Sequence, residues 1–155
     1  MTPPRQRLEV GPLDFDPGAE IAALGAAHAE TGAIASFVGL VRGGADLTAM
    51  TLEHYPGMTE KQISAVIEES GRRWQLEGVT VLHRVGRLAP GDRIVFVGVA
   101  SRHRGEAFAA CEFIIDWLKT RAPFWKLEEG PTGERWVAAR AEDDSRAERW
   151  LAGDS

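Results

Sequence analysis

The stretch Ser101–Lys126 contains most of the side chains that could take part in chemistry. An apolar run rich in Val and Ile comes directly before it and is typical of a buried strand, and Ser101 is then a predicted helix N-cap. His103 and Arg104 would lie at the N-terminus of that helix, where unpaired backbone N–H groups and the helix dipole favour anions. These residues predict a phosphate or carboxylate site, unless their side chains simply extend into water.

Two lysines follow at the other end of the predicted helix. Lys119 lies in its last turn, and Lys126 comes directly after the stiff, aromatic segment Pro123-Phe124-Trp125. Exposed aromatic side chains beside a pair of lysines could line a groove for a ligand or a partner peptide. In the alternative interpretation, Lys119 complements the helix dipole and pairs with Asp116, and the two aromatic residues pack in the core.

Arg42 is predicted to lie at the tip of a β-hairpin. Residues 33–41 are typical of one strand, and residues 48–54 alternate between apolar and polar side chains as a second strand would. A Gly-rich loop joins the two runs. Arg42 would then project either into solvent, as loop charges commonly do, or toward the other cations.

The elements that would position these residues alternate between hairpins and helices. We predict strands at 7–10, 33–41, 48–54, 78–85, 93–100 and 135–140, helices that start at Asp16-Pro17, Thr59, Ser101 and Asp144, and a charged loop at 127–134. Because hairpin turns outnumber crossover connections, this order favours an α+β two-layer sandwich with a mainly antiparallel sheet. The third helix should bury one face, which carries Phe108, Cys111, Ile115 and Leu118.

Composition restricts the class of protein. A chain of 155 residues with 44% hydrophobic residues is expected to form one domain with a real core. The net charge of −5 argues against general nucleic-acid binding, and the single cysteine, Cys111, excludes an internal disulfide or a cysteine-rich zinc site. No run is long enough to cross a membrane and no signal peptide precedes residue 10, so we expect a cytoplasmic protein without membrane contact.

The residues by themselves leave two classes of function open. The chain lacks nucleotide-loop, catalytic-triad and zinc motifs, and its four histidines are not paired at metal-binding spacing. A pocket that contains Arg42, His103, Arg104, Lys119 and Lys126 would suit an enzyme that acts on a phosphorylated small molecule, with a desolvated lysine as acid, base or nucleophile. It would equally suit a non-catalytic module that binds an anionic ligand or tail.

Three runs of sequence closely resemble the large, catalytic subunits of molybdopterin synthases. They are Thr51–Lys61 (TLEHYPGMTEK), Gly91–Val99 together with Ser101, His103 and Arg104, and Leu118–Lys126 (LKTRAPFWK). The resemblance extends over about residues 32–150, nearly the whole chain.

The resemblance implies a fold, an assembly and a reaction. The fold would be of the α/β hammerhead type with a small additional β subdomain. Two large subunits would form a homodimer, and each would bind a small ubiquitin-like sulfur carrier to give a heterotetramer. The carrier's Gly-Gly C-terminus would bear a thiocarboxylate, and two sulfur transfers would convert precursor Z, a cyclic pyranopterin monophosphate, into molybdopterin. No metal or other cofactor is implied.

The resemblance also implies site residues. Lys119 and Lys126 would be catalytic and would also bind substrate, and the remaining substrate-binding residues would be Arg42, His103, Arg104, Glu128 and Arg140, the last from the other protomer. Phe124 and Trp125 would wall the channel for the carrier tail. The chain departs from the family where Leu40 and Leu127 replace commonly basic residues and where the loop at 43–47 is short.

Overall fold

The computed structural model describes residues 2–44, 46–137, 146 and 148–152. Its elements are β1 (Arg5–Gly11), α1 (Pro17–Ala27), β2 (Ala33–Leu40), β3 (Ala49–His54), α2 (Met58–Arg73), β4 (Gly78–Arg84), β5 (Gly86–Leu88), β6 (Arg93–Ser101), α3 (Arg104–Thr120), β7 (Phe124–Gly130), β8 (Gly133–Val137) and a 3-10 turn at Arg149–Ala152. Arg140 and the predicted helix start at Asp144 lie outside the described residues. Within the described part, no helix is long and apolar enough to cross a membrane.

The strands form two four-stranded sheets. The first has the order β1-β4-β6-β2, with β1 and β4 parallel and the other pairs antiparallel. The second, β5-β3-β7-β8, is antiparallel throughout. This mixed architecture confirms the predicted α+β class, and the second sheet is the additional small β unit.

Helices cover both faces of the first sheet. A Cβ placed on Gly98 of β6 would meet the side chain of Leu24 from α1, and α1 also packs against β2 and β4. The alternate residues of β6 belong to the same core cluster as buried side chains of α2 and α3, among them Ile63 and Ile114. Because both faces are covered, β4 and β6 are buried along most of their length, as their nearly continuous apolar sequences indicate.

The predicted hairpin of the second and third strands does not form. β2 pairs with β6 in the first sheet, whereas β3 pairs with β5 and β7 in the second. Arg42 therefore lies where the chain leaves the first sheet. The N–H of its neighbour Val41 donates a hydrogen bond to the Asp92 carbonyl, and the Val41 carbonyl accepts one from the Gly91 N–H. Apolar alternation identifies a strand but does not specify its partner, since ladder hydrogen bonds are made by the backbone.

Two helices begin at different residues from those predicted. The N-cap of α2 is Gly57, whose N–H donates to the Glu60 carboxylate, and the Thr59 hydroxyl donates instead to the Tyr55 carbonyl. The N-cap of α3 is His103. Ser101 remains in β6, where its buried hydroxyl donates to the Gln75 carbonyl and is unavailable for capping.

Other predictions are confirmed or corrected by burial and pairing. Asp16 caps α1 as predicted, and Cys111 is buried as predicted. Phe108, however, is 64% exposed, because the buried face of α3 is rotated toward Ala107, Ala110 and Ile114. The segment 127–134 was predicted to be a loop, but it forms most of β7, a turn, and the start of β8, because its charged side chains lie on a partly exposed hairpin.

Candidate functional site

A cavity of about 1030 Å³ is lined by residues from both sheets and from the C-terminal end of α3. Five of the predicted site residues line it: Arg42, Lys119, Phe124, Lys126 and Glu128. They come from three separate parts of the chain, the loop after β2, the last turn of α3 and strand β7. The structure therefore brings both predicted catalytic lysines to one place.

The end of α3 and the start of β7 determine where the two lysines lie. Leu118 is buried, which fixes the orientation of the last helical turn and leaves its neighbour Lys119 exposed. The helix ends at Thr120, before Pro123, and the chain enters β7 directly afterwards. Because side chains alternate along a strand, Phe124, Lys126 and Glu128 share the face that lines the cavity.

The same alternation places Trp125 outside the cavity. Trp125 packs edge-on against Tyr55, with ring centroids 4.6 Å apart, on the other face of the second sheet. The predicted role of Trp125 as a wall of the channel is therefore not supported in this cavity, whereas Phe124 does line it. Leu127 also does not line the cavity, so its lack of charge does not alter the lining, while Leu40 does line it.

The loop at 43–47 folds against the end of β7. Gly44 and Leu47 form an isolated β-bridge, and the N–H of Thr48 donates to the Glu129 carbonyl at 2.8 Å. A Cβ on Gly130 would lie 2.2 Å from the Asp46 carbonyl oxygen, so this close approach requires glycine. The loop thereby forms part of the cavity wall.

Lys119 and its predicted partner, Asp116, lie in the last turns of α3. Lys119 is exposed in the isolated chain, so the desolvation expected of a buried catalytic lysine is absent here. The carboxylate of Asp116, its predicted partner, is buried on the same helix and accepts hydrogen bonds from Trp150 at 2.7 Å and Arg146 at 3.2 Å. Asp116 therefore anchors the C-terminal turn to the end of α3.

Two acidic side chains of the cavity form ion pairs at its rim. Glu128 lies 3.5 Å from Arg135, and Glu129 lies 3.1 Å from Arg87. The cavity is also lined by Asp46 and Glu134, so its carboxylates are as numerous as its cationic side chains, which are Arg42, Lys119, Lys126 and Arg135. An anion would therefore be attracted by a local group of these cations and not by the net charge of the lining.

His103 and Arg104 do not share this cavity within one chain. Both are exposed at the N-terminal end of α3, and at about 1.5 Å per residue His103 lies about 24 Å along the axis from Lys119. The neighbouring Glu106 carboxylate accepts a hydrogen bond from the Gln75 N–H at 2.7 Å, so it is already engaged. The prediction of a single pocket within one chain is wrong, because a continuous helix separates the two groups of cations.

His83 is a cavity residue that the sequence analysis did not identify. It lies in β4, and its Nδ1 is 2.9 Å from the Arg84 carbonyl. Its ring stacks on Phe124 with a centroid distance of 3.9 Å and an interplanar angle of 14°. The only sequence signal was a histidine within an apolar, alternating strand, whereas Phe124 and the lysines come from distant segments.

Burial, with a smaller effect from the positive charges of Lys119 and Lys126, lowers the pKa of His83 to about 4 from its usual value of 6.5, although the hydrogen bond to the Arg84 carbonyl opposes this change. Its imidazole is therefore neutral at pH 7. The unfolded chain binds this proton below about pH 6.5, whereas the folded chain binds it only below about pH 4. The free energy of unfolding should therefore decrease as the pH is lowered from about 6.5 to about 4. The expected contribution is about 3 kcal/mol.

Urea unfolding at several pH values between 4 and 7.5 would measure this effect. The His83→Phe variant should lose most of the dependence of stability on pH in the window, because it removes the titrating group and retains an aromatic ring. His28→Gln, a change at an exposed histidine, is the matched control and should keep the wild-type slope. Equal slopes in wild type and His83→Phe would contradict the assignment.

Cys111 and the acidic residues offer little further chemistry. Burial raises the pKa of the Cys111 thiol to about 12, so the thiol is protonated at neutral pH and is a poor nucleophile. Among the described residues, no group of three or more His, Cys, Asp or Glu side chains is arranged to hold a metal ion.

Comparisons with known proteins identify the family to which the chain is related. The family model described as "MoaE protein" matches residues 11–121. The molybdopterin synthase catalytic subunit of Escherichia coli strain K12 is 53% identical over 147 residues, which cover 93% of this chain and 97% of that protein.

Solved structures are similar as well. The molybdopterin biosynthesis MoaE protein from Burkholderia ambifaria has a TM-score of 0.82 and 52% identity, and the match covers 97% of this chain and 99% of that one. The molybdopterin synthase structure from Staphylococcus aureus has a TM-score of 0.77 and 27% identity, with 84% and 96% of the two chains covered. With a family model matched over most of its length and relatives this similar over nearly all of it, the chain belongs to the MoaE protein family.

Proposed function

We propose that this chain is the catalytic subunit of a molybdopterin synthase and that it transfers sulfur from a small carrier subunit to precursor Z. The observation that carries the proposal is the cavity that contains Lys119, Lys126 and Arg42 in a chain of this family. The substrate carries a phosphate, and the carrier tail carries a thiocarboxylate. Both are anions, which the cationic side chains of Arg42, Lys119 and Lys126 would attract.

The side chains of the cavity suggest separate roles. Lys119 would polarise the thiocarboxylate carbonyl, or transfer a proton as sulfur adds and the cyclic phosphate opens. Lys126, on the adjacent strand β7, would assist by stabilising negative charge, and Arg42 would bind the phosphate or the pterin. Glu128 lines the cavity on the same face of β7 as Lys126 and would contact the substrate.

The size and walls of the cavity suit two ligands at once, the small-molecule substrate and the tail of a partner protein. Its volume of about 1030 Å³ lies at the upper end of the range of roughly 300–1,000 Å³ for small-molecule pockets. A pterin and an extended Gly-Gly tail could therefore occupy it together, with Phe124 as one wall. The relatives' name, catalytic subunit, denotes one part of a larger enzyme and so supports a second subunit, which we propose to be small and ubiquitin-like. We place this assembly in the cytoplasm.

A homodimer could bring His103 and Arg104 of one copy close to the cavity cations of the other copy. His103 and Arg104 lie about 24 Å from Lys119 along α3, too far to contact the same small substrate within one chain. We propose that these two residues, and Arg140, reach the cavity of a second copy, where they would bind the substrate phosphate at a helix N-terminus. Two large and two small subunits would then form the heterotetramer.

Mixed dimers would test this arrangement. We expect His103→Ala and Lys119→Ala each to lose most activity as homodimers. A heterodimer of the two, purified with two different affinity tags, should recover about half of the wild-type rate, because one of its two sites is intact. Heterodimers that form but remain inactive would contradict a site shared between copies.

The competing proposal is a non-catalytic homologue that binds the pterin or the carrier tail without turnover. Single-turnover conversion of precursor Z with thiocarboxylated carrier, followed by detection of the dithiolene, separates the two. Product from the wild-type protein supports the synthase. A wild-type protein that binds the carrier tail and gives no product would establish the binding role instead.

A further inference from the structure

The neutral histidine in the cavity wall differs from the other polar groups around it. His83 is 8% exposed, and it lines the same cavity as Lys119 and Lys126. Lysine and arginine side chains can only donate hydrogen bonds. A substrate that also carries N–H or O–H donors needs acceptors. The lining offers the carboxylates of Asp46, Glu128, Glu129 and Glu134, of which Glu128 and Glu129 form ion pairs, whereas His83 offers an uncharged acceptor.

Two contacts hold the His83 ring in one orientation and in one tautomer. The carbonyl of Arg84 can only accept a hydrogen bond, so the ring nitrogen facing it at 2.9 Å, Nδ1, must carry the hydrogen. In a neutral imidazole, the other nitrogen, Nε2, is then an acceptor. The face-to-face contact with Phe124, at 3.9 Å, prevents the ring from turning.

Burial, and to a smaller extent the neighbouring lysines, keep the ring in this neutral form. The lysines that act on it electrostatically are Lys119 and Lys126 of the cavity, and the ring of His54 from β3 lies 6.3 Å from that of Phe124. Each lysine would be repelled by an imidazolium, and burial penalises the charge more strongly. The acceptor at Nε2 is therefore present throughout the neutral pH range.

We propose that Nε2 of His83 accepts a hydrogen bond from an N–H or O–H group of a heteroaromatic substrate and thereby orients that substrate against Lys119 and Lys126. The inference rests on the proposed function, since the pterin of precursor Z is a ring of this class with several such donors. A phosphate alone has no need of His83, so the residue would contribute to selection of the ring rather than of the charge.

Two substitutions separate hydrogen bonding from packing. His83→Phe retains the stacked ring and removes the acceptor, and His83→Gln replaces the ring with a side chain that has an acceptor oxygen. With thiocarboxylated carrier and precursor Z, we expect the Phe variant to raise the KM for precursor Z about 10-fold or more, with a smaller change in kcat. The Gln variant should recover most of this loss. An unchanged KM in a folded His83→Phe, or equal losses in both variants, would overturn the proposal.

A measurement on the wild-type protein covers the case in which a variant does not fold. With ¹⁵N-labelled histidine, the Nε2 resonance of His83 should move when precursor Z is added and should not move when inorganic phosphate is added. A resonance that does not respond to precursor Z overturns the proposal.

The same binding measurement distinguishes this inference from the proposed function. If wild type makes no dithiolene but the Nε2 resonance responds to precursor Z, and His83→Phe binds it about 10-fold more weakly, the synthase proposal fails and the role of His83 stands. If wild type makes dithiolene and the resonance does not respond, the synthase proposal stands and the role of His83 fails.

Discussion

Replacement of Lys119 by alanine is expected to reduce single-turnover formation of the dithiolene by at least about 100-fold. Lys119 lies in the last turn of α3 and lines the cavity together with Lys126. An ammonium group at this position would stabilise the negative charge that develops on the thiocarboxylate oxygen or would transfer a proton. Alanine at this position can do neither.

The loss should appear in the chemical step. Because Lys119 is exposed and lies beside the buried Leu118 at the helix end, truncating it creates no cavity in the core. The variant should therefore retain the wild-type unfolding midpoint and still bind the carrier, which pull-down or calorimetry would verify. A variant that keeps more than a tenth of the wild-type rate would exclude Lys119 from the catalytic step.

The chain provides a matched control for this experiment. Lys61, the one lysine outside the cavity, is exposed on α2. Lys61→Ala removes the same side chain and the same charge and should leave the rate within about twofold of wild type. A loss of similar size in both variants would point to a general effect of charge, such as slower association with the anionic carrier, rather than to catalysis.

Replacement of Trp150 by alanine is expected to lower the free energy of unfolding by about 3–5 kcal/mol. Trp150 is buried against Trp74 and Phe113, with ring centroids 5.7 Å and 5.5 Å away, although it lies near the end of the chain. Its indole N–H donates to the buried carboxylate of Asp116 at 2.7 Å. Truncation would leave a cavity in the core, and the buried Asp116 carboxylate would lose one of its hydrogen-bond donors.

Urea unfolding of three variants would separate packing from hydrogen bonding. Trp150→Phe retains a six-membered ring but removes the N–H donor and part of the buried volume, so it should cost less than alanine, roughly 1–3 kcal/mol. Trp136→Ala is the matched control: its side chain is 59% exposed on β8, and its removal should cost less than about 1 kcal/mol. Equal costs for Trp150→Ala and Trp136→Ala would show that the C-terminal turn does not contribute to the folded core in solution.

Local features of the fold were predictable from local sequence. Asp16-Pro17 starts α1, Pro123 follows the end of α3, and the apolar run before Ser101 forms β6. Each of these features depends on residues within a few positions of one another, through capping, fixed backbone angles or alternation. The two lysines were likewise identified from their own neighbourhood, the run Leu118–Lys126.

One error was avoidable from the sequence. A helix was predicted to begin near Ser101 and to end near Lys119, and a helix of that length separates its ends by more than 20 Å at about 1.5 Å per residue. His103 and Lys119 could therefore not be expected in one pocket of one chain. A shared site was predicted because all of these cations would attract an anion. The distance between His103 and Lys119, however, is fixed by the continuous helix between them.

The sequence by itself determined the chemistry that the chain carries: two lysines and Arg42, a buried and unreactive Cys111, and the motifs of its family. Only the tertiary structure decided which of these groups meet. β2 joins β6 instead of β3, β7 turns Lys126 toward the cavity and Trp125 away from it, and His83 comes to lie against Phe124. The reason is physical: strand pairing uses backbone hydrogen bonds that are common to all residues, so register and partner depend on how the whole core packs.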